Sequence, residues 1–206
     1  MFNQLVRWSG LIASVLFVVM IVTVGMITPG YDMRSQFISE LAAVDAPYAV
    51  YMNLIGIIPF GLGIVLFGFG FLKRVHFNHF TIIGALLLIL SGAGFVAAGL
   101  FQCDAGCPFE GSQSQVIHNW TAFGAFILAF LAALWIGISA LWSAKRAAPL
   151  IFGILACAGM AWSFYMMGAG ALEHPMIGLF QRGFILSLCL WLFTTSLYSI
   201  SSRPRV

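Results

Sequence analysis

Six stretches of this chain are each about 20 residues or more in length, apolar and almost free of charge, enough to cross the hydrocarbon of a bilayer as a helix. They run roughly over Leu5–Thr28, Ala49–Leu72, Phe80–Gln102, Val116–Trp142, Pro149–Ala169 and Ile177–Ile200. Turn-forming or charged pairs mark the breaks: Pro29-Gly30, Lys73-Arg74, Cys107-Pro108, Lys145-Arg146 and His174-Pro175. Only 7% of the 206 residues are charged and the mean hydropathy is +1.04, whereas a soluble domain carries about a quarter charged residues. The expectation is an all-α integral membrane bundle of six transmembrane helices, one domain over residues 1–206. The first apolar run lacks a small-residue cleavage site and reads as a retained helix rather than a secretory signal.

The few charges sort by side. Arg7, Lys73, Arg74, Lys145, Arg146, Arg203 and Arg205 fall at the two ends and in the second and fourth loops. All six acids (Asp32, Glu40, Asp45, Asp104, Glu110 and Glu173) fall in the first, third and fifth loops, with only Arg34 and Arg182 for basic company. Lysine and arginine are retained on the cytoplasmic side, so both termini are expected there, in the cell membrane, with the acidic loops outside. The net charge of +3 comes from scattered basic residues, so the expected partner is membrane lipid and not nucleic acid.

The polar chemistry collects in those outer loops. Phe101–Trp120, FQCDAGCPFEGSQSQVIHNW, is the longest polar passage. In the first loop, Phe37, Leu41 and Val44 recur at helical spacing, widened by Ile38 and Ala42. This predicts a short amphipathic helix in the interface, with Glu40 bordering its apolar face. On the fourth span His118, Ala122, Ala125, Ala129 and Ala132 share a face, while Phe123, Ile127, Phe130 and Leu134 lie opposite. Small residues suit a helix neighbour and bulky ones suit lipid, so His118 should point into the bundle, either as a functional group or hydrogen-bonded to a loop carbonyl. Gly56, Gly63 and Gly70 predict close packing of the second span, where Asn53 reads as interhelical glue. The last outer loop adds Glu173 and His174, and Arg182 follows, either snorkelling to headgroups or turned inward to hold an acid.

Cys103 and Cys107 are four apart on the expected outer side, where an oxidising compartment favours a disulfide. A Cys/His metal site is the rival reading, but the second ligand pair of structural zinc sites is missing. Cys157 and Cys189 lie within spans and read as packing residues. The chain has no nucleophile elbow, phosphate loop, HExxH or dinucleotide fingerprint. The candidate catalytic residues are Glu40, Asp104 and His118, supported by Ser39, Asn53, Asp45, Glu173, His174 and Arg182. Carboxylates beside a histidine can run acid–base chemistry or hold a metal; which of these, and with what cofactor, the residue types leave open.

The runs ISELAAVDAPYAVYMNLIGIIPFGLGIVLFG, GALLLILSGAGFVAAGLFQCDAGCP and IHNWTAFGAF resemble the membrane proteins of domain-of-unknown-function family 998. The resemblance spans about Gly30 to the fourth helix. It places that family's short motifs on Ser39, Glu40, Leu41, Asn53, Asp104 and His118; Cys103 and Cys107, flanking the acid, depart from the pattern. It implies a six-helix scale and a site at these positions, and no reaction. Three functions compete: an enzyme acting on a lipid or other amphiphile at the outer boundary, a non-enzymatic lipid-binding or structural/regulatory subunit, and, behind both, a small-molecule transporter. Mid-depth ionisable residues, which ion transport requires, are nearly absent.

Overall fold

The computed structural model describes residues 2–72, 79–141, 147–169 and 174–201. Glu173 and the basic residues Lys73, Arg74, Lys145, Arg146, Arg203 and Arg205 lie outside them. Every regular element among the described residues is helical: α1 (Phe2–Ile27), a 3-10 helix (Ile38–Ala42), α2 (Ala49–Tyr51), a π-helical turn (Met52–Ile57), α3 (Ile58–Leu72), α4 (His79–Leu100), α5 (Gln113–Leu141), α6 (Ala147–Ala169) and α7 (Ile177–Ser201). α2, the π turn and α3 run on as one span, Ala49–Leu72, so six helices are long and apolar enough to cross a membrane. α5 starts at Gln113 rather than at Val116. Ser112 supplies a cap: its hydroxyl accepts the Gln115 N–H at 3.2 Å and its carbonyl the Val116 N–H at 3.1 Å.

The spans form a closed ring in chain order. α1 packs on α3, α3 on α4, α4 on α5, α5 on α6 and α6 on α7, and α7 closes back on α1. Six helices in a ring leave a central space, which aromatic rings fill. Phe17 stacks on Phe60 at 4.3 Å; Phe60 meets Phe95 at 5.2 Å, Phe95 meets Phe126 at 5.7 Å, Phe126 meets Phe184 at 4.6 Å and Phe184 meets Phe164 at 6.2 Å. Each span gives one phenylalanine to this belt. Lipid tails are as apolar as a protein interior, so the belt gains from close van der Waals packing and ring geometry rather than from removal of water. The outer surface is apolar too, with Ile12, Val19, Leu62 and Leu90 all exposed, as a lipid-facing surface must be.

Small residues set the helix spacing. α3 and α4 meet backbone to backbone, where a Cβ on Gly61 would lie 2.6 Å from the Gly92 carbonyl oxygen, and one on Gly92 equally near that of Gly61. Gly63, from the predicted heptad, packs instead against Ala13 of α1.

The π turn has a covalent cause. Pro59 has no N–H to give to Ile55, and its ring would collide with that carbonyl in a regular helix. A widened turn just before it, in which the Ile58 N–H reaches Asn53 O, accommodates both.

Three loop regions meet at one end of the ring, here termed the cap end. Val44 N–H donates to Cys103 O at 3.0 Å, Leu179 N–H to Arg34 O at 3.2 Å, and Ile38 N–H to Gln181 Oε1 at 2.5 Å. The described acids (Asp32, Glu40, Asp45, Asp104 and Glu110) all belong to this end. The first loop differs from the amphipathic helix expected of it. It forms a five-residue 3-10 helix whose Ile38, Leu41 and Ala42 are buried, while Val44 is exposed. At about three residues per turn the apolar positions i and i+3 eclipse, so Ile38 and Leu41 form the inward edge and the loop packs onto the bundle.

Candidate functional site

A cavity of about 600 Å³ lies inside the ring at the cap end, within the roughly 300–1,000 Å³ of small-molecule sites. Phe17, Phe95 and Phe126 of the aromatic belt line its deep end. Phe17 lies ten residues before the end of α1, so the cavity reaches roughly 15 Å into the bundle at 1.5 Å per residue, about half the hydrocarbon thickness. Val116, Trp120 and Phe123 on α5 and Phe109 in the preceding loop are on its wall and are also exposed. The cavity therefore opens sideways along α5.

His118 is on that wall and is only 4% exposed. Its Nδ1 lies 2.8 Å from Ala98 O and 2.9 Å from Phe101 O, carbonyls at the C-terminal end of α4 that have no helical partner of their own. Carbonyl oxygens only accept, so Nδ1 carries a hydrogen, and in the neutral tautomer that fits this arrangement the lone pair falls on Nε2. The inward face predicted from α5 is real: Ala125, Ala129 and Ala132 are buried with His118, and Ala122 is half-buried on the cavity wall. Among the described residues, Ser39 alone of the other candidates shares that wall.

Glu40 and Asp104 stand off the wall and are occupied in their own loops. The Glu40 carboxylate accepts the Phe37 N–H and the Gln36 amide, both at 2.7 Å, closing the first turn of the 3-10 helix. Asp104 accepts the Ser112 N–H and hydroxyl, each at 2.7 Å. These two bonds hold its carboxyl below the usual carboxylate range. Asn53 Nδ2 donates to Ala42 O at 2.9 Å and to Ala49 O at 3.0 Å, tying the π turn to the 3-10 helix, while its buried Oδ1 has no hydrogen-bond partner. Asp45 is exposed. His174 Nδ1 accepts the Met176 N–H at 3.1 Å and its ring packs on Phe180, so it shapes the start of α7. Glu173 lies outside the described residues. Among the described residues no three of His, Cys, Asp and Glu lie close enough to hold a metal ion.

Arg182 does not snorkel. It is 8% exposed, and its Nη1 donates to Gln36 O at 2.8 Å and to Gly178 O at 2.9 Å while Nη2 contacts the Tyr31 hydroxyl. It thus turns inward, but these partners are neutral oxygens of the first loop and its own helix rather than a carboxylate. Cys103 and Cys107 are joined, their Cα atoms 5.1 Å apart, across a turn in which Cys107 N–H donates to Asp104 O at 2.9 Å. Gly106, the third residue of that turn, takes φ +74°, the left-handed conformation that a type II turn requires there.

Two glutamines that the sequence reading did not single out hold the site together. Gln115, fully buried, accepts the Asp104 N–H at 2.7 Å and donates to Pro108 O at 2.5 Å and to Asn119 Oδ1 at 2.9 Å. It lies three residues before His118, and that helical spacing was the available signal. Gln181 bonds the 3-10 helix and lines the cavity; nothing local marked it.

A multi-pass helical membrane protein with an apolar, sideways-opening cavity at one end is the class that this fold and site define. The chain belongs to DUF998, a protein family of unknown function, whose profile matches residues 11–198. Neither a curated protein nor a solved structure matches it.

Proposed function

We propose that this is a cell-membrane protein that binds a lipid or similar single-chain amphiphile in the cap-end cavity, its tail against the phenylalanine belt and its head beside His118. The carrying observation is the cavity itself: deep, largely apolar, open along α5 between exposed aromatic residues, and provided with one free base. Concave apolar sites with a few convergent polar groups are the usual form of ligand pockets. Segregation of the acids to the cap end supports an outward-facing mouth, which a ligand would reach from the outer leaflet. Glu40, Asp104, Asn53 and Arg182 then serve as supports that fix the first and third loops over the site.

A catalytic reading has one specific support, the Ser39 hydroxyl on the same wall as His118. In that reading His118 Nε2 takes the proton of Ser39 or of a water during attack on a lipid ester. The carboxylates weigh against it, since both are committed to backbone donors.

Purified protein should carry a bound amphiphile that mass spectrometry of solvent extracts detects. Ala122→Trp, which fills the cavity from its half-buried wall, should remove that amphiphile while leaving thermal unfolding largely unchanged. Equal lipid content in both proteins would overturn the binding reading.

A further inference from the structure

We infer that the head group taken by this cavity is uncharged and bears a hydroxyl, as in a long-chain alcohol or a monoacylated polyol, and that it donates its hydroxyl hydrogen to His118 Nε2. The inference rests on the amphiphile-binding reading and goes further, to the chemistry of the head.

The donors and acceptors on the wall decide it. His118 is pinned with its Nδ1–H toward Ala98 O and Phe101 O, so what it offers the cavity is an acceptor. A ligand without an N–H or O–H would leave that acceptor unpaired beside an apolar chain. Gln181 turns its Oε1 to the Ile38 N–H, which assigns its amide orientation and leaves its NH₂ group as a donor for a second oxygen on the ligand. Asn119 offers nothing: its Nδ2 serves Pro108 O and Phe109 O, and its Oδ1 accepts from Gln115.

Charge excludes the common alternatives. Among the described residues the wall carries no lysine or arginine, and the exposed Glu110 is its one carboxylate. An anionic phosphate head would meet an acceptor and a carboxylate with no cation to offset its desolvation. An ammonium head would have to leave water to reach a neutral imidazole that is itself buried. The Ser39 hydroxyl shares the wall but is not bonded to the ring, whose hydrogen bonds both run from Nδ1; a ligand hydroxyl supplies the donor that Nε2 lacks, accepts from Gln181 and brings no charge.

The test uses three single-chain probes with the same brominated acyl tail: a monoacylglycerol, its dimethyl ether, and the corresponding lysophosphatidic acid. Binding to the full-length protein in detergent is read from quenching of Trp120, which lines the cavity, with Trp120→Phe as the background. The monoacylglycerol should bind about tenfold or more tightly than either of the others, the factor expected when a buried acceptor keeps or loses its donor. His118→Asn keeps an N–H near the position of Nδ1 for the α4 carbonyls and deletes the Nε2 acceptor. In that variant the alcohol and its ether should bind alike. If all three probes bind equally to the wild type and Ala122→Trp blocks them, amphiphile binding stands and the hydroxyl assignment falls. Preference for the phosphate, or discrimination that persists in His118→Asn, also overturns it. If no probe quenches Trp120, both readings fall together.

Discussion

Arg182 and Tyr31 form the pair on which the first loop hangs. A guanidinium stays protonated even when buried, and here two backbone carbonyls and a phenol solvate it. Tyr31 in turn donates to Phe37 O at 2.7 Å, so it passes the constraint from α7 to the start of the 3-10 helix. Burial pushes the Tyr31 phenol up to about 12, with the Arg182 cation opposing part of that rise. The unfolded phenol ionises near 10, so the folded protein holds this proton to higher pH. The resulting stabilisation is present below about pH 10 and is lost as pH rises through about 12. An alkaline absorbance titration of the phenolate should show one component near 12 that Tyr31→Phe removes; an unchanged curve in the variant would refute the assignment. The same substitution leaves one guanidinium donor and the Phe37 carbonyl short of a partner, and should lower stability by about 1–3 kcal/mol.

Two elements translate sequence into site geometry by departing from regular helix. The π turn before Pro59 aims Asn53 at Ala42 O and Ala49 O, fixing the 3-10 helix whose Ile38 and Ser39 wall the cavity. The Cys103–Cys107 turn sits beneath the loop that carries Cys107, Pro108, Phe109 and Glu110 to the cavity mouth. So small a closed loop contributes little chain-entropy stabilisation, and Asp104 and Gln115 brace the same segment independently. A membrane-impermeant thiol reagent should therefore label Cys103 and Cys107 only after reduction, and reduction should leave global unfolding nearly unchanged. Labelling of both without reductant would remove the disulfide. Between α3 and α4 the tolerance is far smaller. The atoms that a Cβ on Gly92 would meet include backbone, which cannot rotate away, so Gly92→Val should cost several kcal/mol, as overpacking does at its upper range. Wild-type stability in that variant would show that the two helices are not so closely apposed.

At the scale of the molecule, the ring explains why a cavity coexists with a well-packed interior. Neighbouring helices are drawn together by small residues, but a ring of six keeps opposite helices apart. The phenylalanine belt closes that space at mid-depth and leaves it open toward the cap end. The cap end is also where the described acids are, and the sequence puts the remaining basic residues in the second and fourth loops and at the two ends. Reporters at Met1 and Val206 should therefore both read cytoplasmic and one after Gly111 should read outside; opposite sides for the two termini would contradict an even number of crossings.

The six spans, their all-helical character and the inward face of α5 were legible in the sequence, because lipid imposes them locally: length, apolarity and a 3.6-residue period leave no other solution. His118 was found the same way, from helical phase alone. The rest depended on contacts between residues distant in the chain. Gln181 reaches Ile38 across 143 positions and Arg182 reaches Gln36 across 146, and no spacing rule connects them. Glu40 and Asp104 looked like reactive acids because a sequence shows charge and not the hydrogen bonds that occupy it. The belt of one phenylalanine per span was equally hidden, since phenylalanine suits lipid and core alike in an apolar helix. Helical phase alone put Phe123 on the lipid side, but only the closing of the ring turned Phe126 inward and so decided where the cavity would be.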